Sequence, residues 1–212
     1  MIFAGLNTLQ IIFLIIAPIA VIALVVCFLA IPLNKSHIKK NFKEYCYKAI
    51  YRIAFDEDYY LINDYMFRID PSKVAKIDHI LFGNKYIYVI LDTYYEGDLI
   101  GKENDNSLIL VNNKGRKFYT ANQYLLVKTL IKSLSGQTGI DEGMFIGIVV
   151  VNNNCKLGIE TNSKQYYIIQ RNKAKKLVKA IESRNVGNIN AQQLEAAVKA
   201  IDKSNRKKKK WL

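Results

Sequence analysis

The sequence is poor in the residues that build compact metal or disulfide sites. Its 212 residues include 3 cysteines, 2 histidines and 1 tryptophan. The cysteines, Cys27, Cys46 and Cys155, are scattered, with no Cys-x-x-Cys pair and no histidine close by. This spacing excludes both a zinc site and a disulfide framework. We therefore expect Cys46 and Cys155 to be small buried residues rather than reactive ones.

The common catalytic motifs are also missing. The chain has no glycine-rich phosphate loop ending in Lys-Ser or Lys-Thr, no Gly-x-Ser-x-Gly and no histidine pair at helical spacing. These absences remove the P-loop enzymes, the serine hydrolases and the helix-borne zinc proteases from consideration.

Charge is missing from the start of the chain. There is no charged side chain from Met1 to Leu33, and Leu9 to Ile31 is almost wholly apolar. A helix that crosses a bilayer needs about 20 such residues, and Pro18 would be tolerated there as a kink. A cleavable signal peptide has a basic start and a shorter apolar stretch. A lipoprotein signal ending at Cys27 fits poorly with the bulky residue before it, so we expect a retained anchor.

The flanking charges predict the orientation of this anchor. Nothing basic precedes the apolar stretch, whereas Lys35, Lys39, Lys40 and Lys43 follow it. The positive-inside rule then predicts a single-pass protein of the cell membrane whose C-terminal domain is cytoplasmic, which agrees with the unpaired cysteines. We expect three parts: an anchor at 1–34, a domain at 35–185, and a C-terminal helix with a basic tail at 186–212.

Positive charge dominates the rest of the chain. Lysine and arginine total 31 against 18 acidic residues, a net charge of +13. Such a balance favours an anionic partner, either nucleic acid or an anionic lipid surface. Many Lys, Asn, Ile and Tyr residues suggest an AT-rich genome. Such a genome raises the lysine content for reasons unrelated to binding, so part of the positive charge is not evidence for an anionic partner. The basic run Arg206 to Lys210, followed by Trp211, is either a solvated end or a surface-binding tail.

The pattern of apolar residues and turn residues predicts a mixed α/β fold, a sheet flanked by helices. Met144 to Val151 is a continuous apolar run, typical of a buried central strand. The remaining predicted elements are helices at Ser36–Ile53, Thr120–Leu134 (with Gly136 just beyond its end), Asn172–Ser183 and Asn190–Ser204, and strands at Tyr59–Arg68, Asp98–Lys102, Ser107–Val111 and Lys164–Gln170.

The most informative stretch is Lys76 to Gly97, which reads as a hairpin. Its predicted strands are Ile77–Phe82 and Tyr86–Leu91, joined at Gly83-Asn84. Asp78 is the acidic residue of the first strand. Because side chains alternate along a strand, we expect Leu91 and Thr93 to lie on the same side as Asp78. Asp92 is then expected on the other side, and His79 to be a packed or hydrogen-bonded residue pointing away from Asp78.

This hairpin resembles the nuclease-related domain (NERD) family. Ile77-Asp78-His79-Ile80 matches the start of the family motif, and Tyr95 and Gly97 match its end. Where the family has Glu-x-Lys, this chain has Leu91-Asp92-Thr93. The resemblance covers roughly Lys40 to Ile181. It implies a restriction-endonuclease-like core and Mg²⁺-dependent cleavage of phosphodiesters.

The resemblance also implies site residues elsewhere in the chain. Glu44 matches the glutamate of a Gly-Glu pair on the first family helix, with Lys43 in place of the glycine. Gln123 matches a glutamine on a later family helix, although Tyr119-Thr120 replaces the preceding Asn-Pro. The implied metal ligands are Asp78 and Glu44, which make a weak Mg²⁺ site at best.

Each of these residues has a simpler interpretation. Glu44 at helical spacing from Lys40 and Lys48 is equally well explained as a solvated partner of those lysines. Asp78 is alternatively an acceptor for backbone N–H groups at a strand end. Lys76, two residues before Asp78, is expected on its side of the strand.

The sequence therefore predicts a nuclease fold that has lost part of its chemistry. Leu91 and Thr93 stand where the family has the acid and the lysine, so we expect binding of nucleic acid or another polyanion without efficient cleavage. One alternative is an active Mg²⁺-dependent nuclease whose lysine has relocated. Another is a non-enzymatic protein that lies against the anionic membrane surface. Nothing in the sequence predicts an oligomeric state.

Overall fold

The computed structural model describes residues 16–23, 25, 36–69 and 72–205. It divides into two units, Met1–Asn41 and Phe42–Leu212. In the first unit, residues 16–23 and 36–40 are helical. Most of the predicted anchor, Leu9 to Ile31, lies outside the described residues, as do the turn at Asp70-Pro71 and the basic tail. In the described ranges, every helix is too short or too polar to span a bilayer.

The second unit alternates strands and helices along the chain. In the described residues its elements are α1 (Phe42–Asp56), β1 (Tyr60–Arg68), β2 (Val74–Phe82), β3 (Ile87–Thr93), β4 (Gly97–Lys102), β5 (Ser107–Asn112), β6 (Lys117–Ala121), α2 (Gln123–Thr138), β7 (Phe145–Val151), β8 (Leu157–Glu160), β9 (Tyr166–Gln170), α3 (Ala174–Glu182) and α4 (Ala191–Ser204). Single 3₁₀ turns at Glu142–Met144 and Arg171–Lys173 precede β7 and α3.

The strands form two mixed sheets, which confirms the predicted mixed α/β class. The larger sheet has the order β1-β2-β3-β7-β9 and the smaller one β6-β5-β4-β8. In the larger sheet β1, β2 and β3 are antiparallel, whereas β7 is parallel to both β3 and β9. All seven residues of β7 are buried, as expected for an apolar run between two parallel neighbours.

Two hydrophobic clusters cover the two faces of the larger sheet. On one face the sheet packs against α1 and α3, which bury residues such as Ile50 and Val178. On the other face it packs against α2 and α4, through residues such as Val127 and Ile201, together with residues of the smaller sheet. Helices on both faces bury the central strands fully, so only strand ends and edges are available for a site.

Two features of the predicted fold are wrong around α2. Thr120 was expected to begin this helix, but it belongs to β6, and the helix begins at Gln123 after the N-cap Asn122. Gly136 was expected beyond the helix end. It lies inside the helix, which ends instead at Gly139, whose φ is 72°. The strands β6 and β8 were not predicted, because they are short and neither buries a clear apolar face.

Two glycine substitutions are expected to change stability in opposite directions. Gly97 has a φ of 155°, and a Cβ added there would lie 2.1 Å from the carbonyl oxygen of Val111. Gly97→Ala should therefore lower the free energy of unfolding by about 1–3 kcal/mol. Gly136→Ala, in open space on a helix, should raise it by about 0.5–1 kcal/mol. Urea unfolding of the full chain measures both, and equal effects of the two changes would contradict the backbone conformations described for these glycines.

Candidate functional site

The candidate site lies where the side chains of strand β2 depart from their regular alternation between the two faces of the sheet. Ile77 and Ile80 lie three residues apart, yet both pack into the core on the α2 face. In regular strand geometry they would face opposite sides. The pairing of β1 with β2 is interrupted at Asp64, whose φ is 54°. Asp78, between the two isoleucines, is therefore displaced from the expected alternation.

Asp78 lies in a cavity of about 230 Å³ that is bordered by α1. The residues that line it are Lys43, Glu44, Tyr47, Asn63, Asp64, Asp78, His79 and Asp92. Both carboxylate oxygens of Asp78 are engaged. The Lys43 ammonium lies 2.8 Å from Oδ1, and the backbone N–H of Asp92 donates to Oδ2 at 3.0 Å.

Leu91 and Asp92 are arranged in the opposite way to the expectation. Leu91 is 6% exposed and packs into the core cluster on the α2 face, whereas the Asp92 side chain lies in the cavity with Asp78. The prediction that Leu91 shares a side with Asp78 is wrong. Because β2 is distorted at Asp78, the alternation of side chains breaks there and does not predict which residues of β3 share a side with Asp78.

Asp92 and His79 form a buried pair at the base of the cavity. His79 Nε2 lies 2.9 Å from Oδ2 of Asp92, and Nδ1 lies 2.6 Å from Oδ1 of Asn63. His79 is thus hydrogen-bonded through both ring nitrogens, as expected for a lone histidine. The expectation that it points away from Asp78 is wrong, because both residues line the same cavity. The remaining Oδ1 of Asp92 is buried and has no hydrogen-bond partner among the described residues.

Burial is the main cause of the pKa shifts of Asp92 and of the Cys46 thiol. It raises the pKa of Asp92, while the hydrogen bond and the charge of His79 oppose that rise. Burial also raises the pKa of the Cys46 thiol, and the charge of Asp92 adds to the effect. A buried thiol with a raised pKa remains protonated at neutral pH, so Cys46 is not a nucleophile.

Each carboxylate that lines the cavity has a basic partner. The pairs are Asp78 with Lys43, Asp92 with His79, Glu44 with Lys48 at 2.6 Å, and Asp64 with Lys76 at 2.6 Å. Lys76 also approaches Asp78, at 3.9 Å. Mg²⁺ needs several oxygen ligands in a near-octahedral arrangement. Within the described residues no cluster of three or more potential ligands has a geometry suited to a metal. The residues present therefore do not fit the Mg²⁺ site that the resemblance implies.

The structure gathers only part of the predicted site. Asp78 and Glu44 both line the cavity, whereas Leu91, Thr93 and Gln123 do not. Thr93 is the last residue of β3. Gln123 lies at the start of α2, beside the buried Tyr95 side chain.

Sequence reasoning missed four residues of the cavity, Asn63, Asp64, Tyr47 and Asp92. One signal for the first two was available. A polar Asn-Asp pair interrupts the strand Tyr60–Arg68, and aspartate and asparagine tolerate positive φ far better than apolar residues.

Comparison with known proteins identifies a family. A family model described as the nuclease-related domain (NERD) matches residues 39–152, more than half of the chain. No curated protein matches the chain. The crystal structure of a protein of unknown function, AF1548, is similar over 74% of this chain and 78% of that one. Its TM-score is 0.34 and its sequence identity 9%, too low to support an argument about this chain.

Asp92→Asn is expected to flatten the pH dependence of stability. Because the pKa of Asp92 is raised in the folded protein, that state keeps a proton that the unfolded chain loses near 3.8. The contribution of Asp92 to stability is therefore full below the unfolded pKa and is lost as pH rises through the folded pKa. Urea unfolding from about pH 4 to pH 7 should show the asparagine variant gaining on the natural protein as pH rises. Parallel curves would contradict the raised pKa.

Proposed function

The chain belongs to the nuclease-related domain family, and from this membership we propose that it binds nucleic acid without cleaving it efficiently. The observation that carries the proposal is the pairing of every carboxylate in the cavity with a basic group. The antiparallel strands β1 to β3, continued by the parallel strand β7 and flanked by helices, support a restriction-endonuclease-like core for this binding domain.

Cleavage is disfavoured by what surrounds Asp78. Metal-dependent hydrolysis needs carboxylates to hold the cation and a positive group to stabilise the charge that develops on the phosphate. Here the Lys43 ammonium already contacts Oδ1 of Asp78, and Leu91 takes the position of the family glutamate. Removing one such group from an active site costs about 10²–10³ in rate, so the loss of two should leave activity near background.

The alternative of an active nuclease with a relocated lysine has candidate residues. Both Lys43 and Lys76 approach Asp78. A relocated lysine would replace only one of the two lost groups. Asp92, a further carboxylate of the cavity, is bonded to His79 and buried. Glu44 and Asp64 are paired with Lys48 and Lys76, so every further carboxylate of the cavity already has a basic partner.

An exposed row of aromatic rings supports nucleic acid as the ligand. Tyr47, Tyr51 and Phe55 follow one another along α1, and we call them the ring ladder. The centroids of the first two rings lie 5.9 Å apart and those of the last two 6.4 Å apart, with interplanar angles of 27° and 25°. Phe55 is 75% exposed. Stacked, exposed rings are the platforms on which single-stranded nucleic acids lay their bases.

The surroundings of the ring ladder suit a strand rather than a compact ligand. With Tyr59 and Tyr60 the ladder lines an open cavity of about 420 Å³ between α1 and β1. The net charge of +13 attracts any polyanion. An anionic lipid surface offers charge but no bases to stack, so we favour nucleic acid over lipid.

We propose that the domain acts at the cytoplasmic face of the cell membrane. The support is the apolar run Leu9 to Ile31 with lysines only on its C-terminal side. The tail from Arg206 to Trp211 would then meet anionic headgroups, each basic residue contributing about 1 kcal/mol near the surface. If these contacts with lipid were the protein's whole function, it would be the non-enzymatic membrane-surface protein that the sequence left as an alternative.

The ring ladder gives the test of nucleic-acid binding. Truncating Tyr51 and Phe55 together to alanine should weaken binding of a single-stranded oligonucleotide about tenfold or more, because each stacked base contributes about 1–3 kcal/mol. Fluorescence anisotropy with the full chain in a neutral detergent measures this loss. Thermal stability should change little, because both side chains are at least half exposed.

A matched pair of exposed rings lies on β6 and provides the control. Phe118 and Tyr119 are 50% and 83% exposed, and their joint truncation to alanine should leave oligonucleotide affinity unchanged. The proposal fails if the natural protein does not bind the oligonucleotide, or if the two double variants bind it equally well.

A further inference from the structure

A second cavity lies between α1 and the turn Arg171–Lys173 that leads into α3. Its volume is about 320 Å³. Four basic side chains line it, and no acidic side chain does: Lys48, Arg52, Arg171 and Lys175. The cavity is separate from the one that contains Asp78, although both are bordered by α1.

Two of these four cations have acidic partners outside the cavity lining. Lys48 pairs with Glu44 at 2.6 Å, and Lys175 pairs with Asp56. Arg52 and Arg171 form no ion pair with any acidic residue of the described ranges. The pKa of the nearby Asp56 carboxyl is lowered mainly by its hydrogen bond with Lys175 and further by the charge of Arg52. The cavity therefore holds two guanidinium groups outside any direct ion pair. Like charges held together in this way favour an anion between them.

The Arg171 side chain is oriented by an aromatic ring rather than by a carboxylate, so its N–H groups are not used in an ion pair. Its guanidinium carbon lies 5.2 Å from the centroid of the Tyr45 ring, a cation–π contact that fixes the plane of the group. Guanidinium groups suit phosphate because their parallel N–H donors match two phosphate oxygens.

The N-terminus of α3 adds to the same positive field. The helix begins at Ala174, which lines the cavity, and no side-chain hydrogen bond caps it. The partial positive charge of a helix N-terminus favours an anion at this end. This contribution is secondary to the four cations.

We propose that this cavity binds a backbone phosphate of nucleic acid through Arg52 and Arg171. The choice of ligand rests on the proposed function, since a lipid headgroup carries the same phosphate chemistry. Nucleic acid is favoured because Arg52 directly follows Tyr51 of the ring ladder on α1. Consecutive residues of a helix lie about 100° apart around its axis, so the ladder and the basic cavity are on adjoining faces of α1. A strand stacked on the ladder would turn around the helix to place a phosphate in the cavity.

The salt dependence of binding tests the cavity directly. Arg52→Gln with Arg171→Gln, in the full chain, should weaken binding of a single-stranded oligothymidine roughly tenfold at low salt. The slope of log affinity against log salt should fall by about 0.7, since each phosphate of a single strand that the protein neutralises contributes about 0.7. An unchanged slope would overturn the proposal.

Two further double variants separate the cavity from net charge. Lys114→Gln with Arg116→Gln removes the same charge from the exposed turn between β5 and β6, and should retain the natural slope. Arg52→Lys with Arg171→Lys keeps the charge and should retain most of the slope while losing some affinity. Equal losses in the cavity and turn variants would show that only total charge matters, and would overturn the site.

Pyrophosphate and vesicles distinguish failure of the site from failure of the proposed function. Pyrophosphate should raise the melting temperature of the natural protein but not of the cavity glutamine variant, because a ligand stabilises only the state that binds it. This result would support the phosphate site even if the oligonucleotide did not bind. No shift in the natural protein would overturn the site. If the cavity variant lost binding to phosphatidylglycerol vesicles and kept its affinity for the oligonucleotide, nucleic acid would be excluded as the ligand.

Discussion

The contact between the Lys43 ammonium and the Asp78 carboxylate, at 2.8 Å, decides what the central cavity can do. It joins the first turn of α1 to the distorted part of β2, across 35 positions of sequence. Lys43 is 65% exposed at its side chain, so the pair contributes little to stability, about 0–1 kcal/mol. Its importance is chemical. A cavity with four carboxylates requires positive charge, and in this structure lysine and histidine side chains lie against all four.

Burial places a stricter constraint on the pair formed by Asp92 and His79 at the base of the same cavity. Asp92 and His79 are almost fully buried, and a charge removed from water is costly unless its partners are well placed. Asn63 and the backbone distortion at Asp64 support this arrangement from β1. Family membership explains the fold, whereas the residues of the site determine the function. Our proposal that the domain binds rather than hydrolyses its ligand therefore depends on those residues and not on the family.

Much of the fold could be predicted from the sequence, because long apolar runs and capped helices carry local signals. The central strand β7 is uniformly apolar, and α4 begins at a capping box formed by Asn190 and Gln193. The side on which Asp78 lies could not be predicted, since it depends on the positive φ of Asp64 in the neighbouring strand. Apart from Glu44 with Lys48, which the helical spacing indicated, the ion pairs of the cavity join residues on different elements and left no local signal. The strands β6 and β8 could not be predicted either, because they are short and neither buries a clear apolar face.

The measurement that tests this account most directly is metal-dependent nicking of supercoiled DNA by the full chain, beside Asp78→Ala. The account predicts that with Mg²⁺ or Mn²⁺ both proteins nick at the same background rate, because the Asp78 carboxylate is already engaged by Lys43 and by the backbone N–H of Asp92. Metal-dependent nicking by the natural protein that Asp78→Ala abolishes would contradict it. That result would mean that the cavity binds a catalytic cation despite its paired charges.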